Sequence, residues 1–220
     1  MQIGLVGLPN VGKSTLFNAL TRSNALVENY PFATIEPNLG RVPLRDEYLH
    51  PLQSVFGAAK ATPAFINFID IAGLVAGAHQ GEGLGNRFLS HIRNVEVIVH
   101  VLRSFPNESV AHVDGELNPL ADLRTVELEL ILADMVTVEK RSDKARSMCQ
   151  TGDKKYFQEL ALYERLKEFM DREQPVRFFA TSPPEKEILD SMHLLTAKPV
   201  LYVLNGPQNA NNSALLAKIK

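Results

Sequence analysis

The sequence predicts an α/β fold in which a parallel-rich central sheet is interrupted by an inserted α-helical hairpin. Helix-type patterns separate the predicted strands, as parallel pairing requires, and residues 114–196 show helical periodicity only. We therefore predict one α/β domain made of residues 1–113 and 197–220, with a helical domain at 114–196 between its two parts. The four predicted strands are 3–6, 65–69, 95–102 and 200–204.

The composition is that of a globular protein. The 220 residues are 45% hydrophobic and 22% charged, and the formal net charge is -2. This charge provides no overall basic field for nucleic acid, so DNA binding is not expected. The single Cys149 cannot form an intramolecular disulfide, and no window approaches the roughly 18 uninterrupted apolar residues of a membrane helix. We expect a cytoplasmic protein without a membrane partner.

The first strand is followed by GLPNVGKS at residues 7–14, and a helix is predicted from 14 to 22. This segment matches G-x-x-x-x-G-K-[ST] in the strand–loop–helix context in which the motif binds phosphate. Loop N–H groups and the helix N-terminus face phosphate oxygens; Lys13 is expected to reach the β- and γ-phosphates and Ser14 to coordinate Mg²⁺. The fold class is therefore that of a P-loop NTPase that binds a purine nucleoside triphosphate. The predicted loop contacts are Asn10, Val11, Gly12, Lys13, Ser14 and Thr15.

A second element is D-x-x-G at the end of the predicted strand FINFI, where Asp70 is followed by Gly73. Asp70 would hold Mg²⁺ through water, and the Gly73 N–H could donate to the γ-phosphate. A strand-ending aspartate by itself is usually a turn former, so the assignment depends on its pairing with the phosphate loop.

The proline-punctuated loop NYPFATIEPN, residues 29–38, supplies a third element. The Thr34 hydroxyl can complete the magnesium shell only when the γ-phosphate is bound, which would couple the order of this loop to the nucleotide. We predict that Thr34 is a metal ligand together with Ser14 and Asp70.

The residue after D-x-x-G is Leu74, where Ras-like GTPases have a glutamine that orients the attacking water. An apolar side chain cannot orient water, so another group must do so. The candidates are His79, His91, His100 and His112. His100 lies within a predicted buried strand and is discounted.

The segment after the last predicted strand reads Asn205, Gly206, Pro207, Gln208 instead of the guanine-binding N-K-x-D. The aspartate of that motif accepts from two guanine donors, whereas a glutamine amide can donate or accept. The usual reason for a GTP preference is therefore missing. Asn205, Gly206 and Gln208 are the predicted contacts on the base side.

Apolar residues at helical spacing predict three helices within 114–196. A polar break at Thr151, Gly152 and Asp153 separates the first two, which we interpret as an antiparallel hairpin. A third helix is predicted to begin at Ser182, where SPPE supplies an N-cap, prolines for the first turn and a glutamate for a capping box. The predicted buried faces are Leu128, Ile131, Leu132, Met135 and Val138; Leu162, Leu166, Phe169 and Met170; and Ile188, Leu189, Met192 and Leu195.

Four long segments resemble the YchF subgroup of Obg-family NTPases: GLPNVGKSTLFNALT, NYPFATIEPN, DIAGLVAGAHQGEGLGNRFLSHIR and LILADMVTVEKR. The resemblance extends through essentially the whole chain. It implies a P-loop domain with an inserted helical hairpin, hydrolysis of ATP in preference to GTP, and association with ribosomes. It also implies that His112, in SVAHVDG, acts on the attacking water. With Lys13, His112 completes the expected catalytic pair.

The sequence departs from the family pattern in two places. The family recognises adenine with N-x-x-E, and Gln208 stands at the glutamate position. The family also continues into a TGS domain, whereas this sequence ends at Lys220, so we interpret it as a fragment that lacks the last base-contacting loop and that domain.

A basic cluster marks the predicted hairpin tip, where only Asp143 and Asp153 interrupt the positive residues. The cluster is Lys140, Arg141, Lys144, Arg146, Lys154 and Lys155. It could contact ribosomal RNA, although an exposed charge run is also common at a solvated helical tip. The ribosome contact could equally belong to the missing domain.

The sequence leaves three functions open. The first is an Mg²⁺-dependent ATPase that acts as a nucleotide-gated switch on the ribosome. The second is a conventional translation-associated GTPase. The third is a scaffold that binds nucleotide without hydrolysing it.

Overall fold

The computed structural model describes residues 1–22, 38–71, 84–105 and 117–219. Its strands are β1 Gln2–Val6, β2 Asn38–Pro43, β3 Phe65–Asp70, β4 Val97–Arg103 and β5 Val200–Asn205. They form one sheet in the order β2-β3-β1-β4-β5, in which every neighbouring pair is parallel except β2 and β3. The predicted parallel-rich sheet is confirmed, and β1 lies at its centre.

Strand β2 was not predicted from the sequence. Its residues NLGRVP include a glycine, an arginine and a proline, and they lack the alternation of a half-buried strand. Position explains the proline, because within the described sheet β2 is an edge strand that pairs antiparallel with β3 alone. Packing explains the glycine, because a Cβ at Gly40 would lie 2.1 Å from Thr21 Cγ2.

The helices are α1 Lys13–Arg22, α2 Leu49–Phe56, α3 Leu84–Asn94, α4 Pro119–Met148, α5 Lys154–Met170, α6 Pro183–Asp190 and α7 Ala210–Ile219. The predicted hairpin is confirmed: α4 and α5 pack together and are joined by a short turn that contains Cys149–Thr151 and a left-handed Gly152. The domain boundaries at 113/114 and 196/197 stay predictions. In the described residues, no helix combines the length and the apolar composition that crossing a membrane requires.

Helix α4 connects two hydrophobic cores. Val126, Leu130 and Ala133 pack into the core of the sheet. Further along, the helix contributes to a second core, which it shares with α5, α6 and the turn that follows α6. Because α4 packs against both cores, it carries apolar residues on more than one side. The predicted stripe is wrong at Leu128, which is 37% exposed, because that side of α4 has neither core against it.

Helix α6 confirms the predicted capping box. The Ser182 N–H and Oγ both donate to Glu185 Oε2, at 2.8 Å each. The helix ends at Asp190, however, so the prediction that Met192 and Leu195 belong to its buried face is wrong. Both side chains are buried, but from the turn after the helix, in which His193 has a positive φ of 51°.

Candidate nucleotide-binding site

The phosphate-loop motif follows β1 at the C-terminal edge of the central strand, where ligands bind in parallel α/β sheets. Its two glycines have positive φ angles, 154° at Gly7 and 96° at Gly12. A Cβ at Gly7 would lie 2.4 Å from Val101 O, and a Cβ at Gly12 would lie 2.3 Å from Asn205 Nδ2. Glycine is therefore required at both positions by conformation and by contact.

Lys13 is the first residue of α1, and its buried ammonium turns back into the loop. Nζ donates to Leu8 O at 2.7 Å and to Gly7 O at 3.1 Å. Burial lowers the pKa of Lys13 to about 8, and the negative charge of Asp70 opposes this shift. The loop thus holds a positive charge in a fixed position at the N-terminus of a helix, an arrangement that suits a phosphate.

Ser14 and Asp70 meet beside this lysine. Asp70 is the last residue of β3 and lies opposite Leu5 of β1 in the register, and Ser14 Oγ donates to Asp70 Oδ2 at 2.6 Å. A hydroxyl and a carboxylate are hard oxygen ligands of the kind that Mg²⁺ takes, with phosphate and water completing its shell. Within the described residues, no three or more His, Cys, Asp and Glu side chains are grouped so that they could hold a metal ion, so an all-protein cage is not formed there. The pair fits a magnesium ion shared with a phosphate ligand.

Asn205 joins the end of β5 to the phosphate loop. Its Nδ2 donates to Val11 O at 2.9 Å, and its carbonyl accepts from Ser104 N at 2.8 Å. After it, Gly206 and Gln208 are exposed, and Asn212 Nδ2 donates to Pro207 O at 2.6 Å. The Asn205 side chain therefore supports the phosphate loop directly. The motif spacing did not reveal this contact, because it joins residues 194 positions apart.

The model of the 50S ribosome-binding GTPase family matches residues 2–133. The chain belongs to this family. The ribosome-binding ATPase YchF of Bacillus subtilis is 48% identical over 202 residues, which cover 92% of this chain and 55% of the relative. Obg-like ATPase 1 of Oryza sativa subsp. japonica is 45% identical over 206 residues, covering 93% and 52%. The chain thus spans about half the length of the curated relatives that it matches.

The solved structure of the Schizosaccharomyces pombe YchF GTPase is 36% identical and has a TM-score of 0.77. The alignment covers 100% of this chain and 61% of that chain. The YchF resemblance and the α/β fold with its helical insertion are thereby confirmed.

For this family member, three predicted site residues lie outside the described residues: Thr34, Gly73 and His112. Leu74 and His79 lie outside them as well. The residues that the structure brings together are Lys13, Ser14, Asp70 and Asn205, together with the backbone of the phosphate loop.

His100 is a buried neutral side chain on β4, opposite Val6 in the register. Burial lowers its pKa to about 3, and the charges of Arg177 and Lys13 add to this effect. Its Nε2 has no hydrogen-bond partner within the described part of the chain. A base that is neutral but enclosed is poorly placed to act on solvent water, as expected for a histidine within a buried strand.

A polar cluster beside His100 ties β5 to the helical insertion. The Tyr202 ring lies 5.9 Å from the His100 ring, and Tyr202 OH accepts from Arg177 at 3.0 Å. Both Arg177 and Tyr202 also donate to Glu127 Oε1 on α4. Sequence reasoning missed this cluster because its members lie far apart in the chain and match no motif.

Proposed function

We propose that this chain binds ATP with Mg²⁺ and hydrolyses it. The observation that carries the proposal is the convergence of a buried lysine ammonium and a hydroxyl–carboxylate pair at one phosphate loop. Lys13 would bind the β- and γ-phosphates, and Ser14 and Asp70, with Thr34, would hold the metal. When bound, Mg²⁺ neutralises the negative charge that develops on the phosphate oxygens.

The attacking water needs a group to orient it, since the residue after the D-x-x-G segment is Leu74. We assign this role to His112, on the basis of the YchF resemblance. An imidazole within hydrogen-bond reach of the water could accept its proton or fix its orientation. Gly73 would donate its N–H to the γ-phosphate.

ATP is the proposed preferred nucleotide. Gln208 provides no carboxylate for the two guanine donors, and several relatives bear the name ATPase. A conventional GTPase is the second candidate, supported by the family description and by the name of the S. pombe structure. A scaffold that does not hydrolyse is the third.

Two measurements separate the three candidates. Phosphate release is followed with ATP and with GTP, and calorimetry is performed with a non-hydrolysable analogue of each nucleotide. The ATPase proposal expects faster release and tighter binding with ATP. Equal or reversed preference would support the GTPase, and binding without release would support the scaffold.

We also propose that the hairpin tip contacts ribosomal RNA while the bound nucleotide controls the affinity. The ribosome is the proposed partner because relatives are named ribosome-binding ATPases. The hairpin tip is the proposed contact surface because of its positive charges. Arg146 is paired with Asp143 at 3.1 Å and with Glu164 at 3.6 Å. Lys140 and Lys144 are exposed and have no carboxylate partner within the described residues, which leaves them available for phosphates.

Co-sedimentation with ribosomes at several salt concentrations tests the tip. Lys140→Glu combined with Lys144→Glu should weaken binding and flatten its salt dependence, because two phosphate contacts are lost. The matched control is Arg172→Glu with Lys186→Glu, two exposed cations away from the tip that undergo the same change in charge. Equal losses in both variants would show only a general effect of charge. If neither variant differs from the wild type, the contact lies elsewhere.

A further inference from the structure

Helix α2 exposes its apolar side. Tyr48, Leu52, Val55 and Phe56 are 73%, 50%, 79% and 77% exposed, and α2 has no buried residue. Their spacing of i, i+4, i+7 and i+8 puts all four on one face of the helix. We call these four residues the α2 patch. An amphipathic helix normally buries such a face, so its orientation here needs an explanation.

Local interactions hold α2 in place. At its start, Asp46 Oδ1 accepts from Tyr48 N at 2.9 Å. At its end, Gly57 adopts the left-handed conformation, with a φ of 59°, and its N–H points to Gln53 O and Ser54 O. A helix of this length is marginal by itself in water, so packing on a partner would stabilise it. The helix is thus formed and is capped at its C-terminal end, while its apolar face stays available.

The size of the α2 patch suits a protein partner. With the exposed fractions given above, two aromatic and two aliphatic side chains present roughly 600 Å². This is at the upper end of the about 300–600 Å² found for the largest patch on a typical monomer. It also provides most of the about 800 Å² that each partner buries in a stable interface.

The charges that flank α2 indicate which partner. Arg45, Asp46 and Glu47 precede the helix with two acids against one base, and Lys60 follows it. In the described residues, none of these four side chains forms an ion pair. If a second α2 packs antiparallel on the first, its acidic end lies against Lys60 of the first copy. The two helix dipoles then run in opposite directions, which is electrostatically favourable. The surface is therefore complementary to itself.

We propose that the α2 patch is a dimer interface, on which α2 of a second copy packs antiparallel across a twofold axis. Such an interface is isologous: the same apolar residues meet at the centre, and Glu47 and Lys60 pair twice at the rim. The proposal is independent of the nucleotide chemistry, since it uses none of the residues of the phosphate site.

Sedimentation equilibrium over a range of micromolar concentrations tests the apolar centre. The wild-type chain should dimerise, and Val55→Asp should raise the dimer dissociation constant by about tenfold or more, because it places a carboxylate in the apolar contact. Val136→Asp, at an exposed valine of α4, is the matched control and should leave dimerisation unchanged. Thermal melting by circular dichroism and ATP binding establish that both variants are folded.

A charge exchange tests the orientation. Glu47→Lys and Lys60→Glu should each weaken the dimer, and the double variant should restore it. The two single variants mixed together should associate more tightly than either does alone, because each then supplies the charge that the other lacks.

Two results would overturn the proposal. One is a wild-type chain that stays monomeric at every concentration. Another is a double variant as weak as the single ones. If the wild type is monomeric and Val55→Asp also loses binding to ribosomes, the α2 patch serves a foreign partner instead of a second copy.

Discussion

Asp134 is the buried carboxylate that attaches α4 to the segment leading into β5. Its side chain is 0% exposed and accepts three hydrogen bonds of 2.8 Å, from Leu195 N, Thr196 N and Thr196 Oγ1. The perturbation is Asp134→Asn, which keeps the shape of the side chain but replaces one acceptor oxygen by an NH₂ group. The NH₂ group of the asparagine must then face at least one backbone N–H, so that two hydrogen-bond donors meet without an acceptor.

The expected loss follows from these contacts. Each buried donor left without an acceptor costs about 1–3 kcal/mol, so the asparagine should lower the free energy of unfolding by roughly 2 kcal/mol at neutral pH. Asp134→Ala would leave all three donors unpaired and should cost at least about 3 kcal/mol. Since small domains are stable by only about 5–15 kcal/mol, the alanine variant is at risk of unfolding.

The effect should also depend on pH. Burial raises the pKa of Asp134 from 3.8 to about 6. The three hydrogen bonds and the charge of Arg93 lower this pKa, but burial has the larger effect. A carboxyl with a raised pKa binds its proton more tightly in the folded chain, so its contribution to stability is complete below about pH 4 and is lost as pH rises through 6. The loss is roughly 3 kcal/mol. Asparagine does not titrate, so the difference in free energy of unfolding between wild type and Asp134→Asn should narrow as the pH rises through this window.

Urea unfolding of both proteins at several pH values provides the test. The difference between their free energies of unfolding removes the contributions of the other titrating groups, which both proteins share. The control is Asp143→Asn, at an exposed aspartate of the same helix, which should change stability by less than about 0.5 kcal/mol. Equal stability of wild type and Asp134→Asn at neutral pH would refute the hydrogen-bond reasoning. A difference that widens with rising pH would show that the three donors outweigh burial.

Three substitutions test the proposed nucleotide site. Lys13→Ala should abolish triphosphate binding measured by calorimetry, because it removes the cation held in the loop, and near-normal ATP affinity would contradict the assignment. His112→Ala should lower turnover by roughly 100-fold while nucleotide affinity stays nearly unchanged, as expected for a group that acts on water in the transition state; a proportional loss of binding would indicate a structural histidine. Gln208→Asp should shift a competition titration toward GTP by less than about tenfold, or about 1.4 kcal/mol, because Gly206 still departs from the guanine motif; complete reversal would show that this position alone decides the base.

Local sequence determined the elements whose stabilising contacts are close in the chain. The phosphate loop is recognisable because its glycines, lysine and serine act within eight consecutive residues. The capping box of α6 is equally local, since Ser182 and Glu185 are three residues apart. The helical hairpin follows from apolar spacing around a polar break. In each case the interactions that define the structure are those that periodicity and motif spacing record.

Only the tertiary structure decided the features that join distant segments. The edge position that tolerates proline in β2 is set by its pairing with β3, and the glycine of β2 is required by the close approach of Thr21 to Gly40. Asp134 reaches donors 61 and 62 residues away, and Asn205 reaches a carbonyl 194 residues away. A single sequence carries no signal for such pairs, because either partner by itself is an ordinary polar residue. The exposed face of α2 belongs with them: its apolar spacing is visible in the sequence, but which side meets solvent depends on what the rest of the chain leaves uncovered.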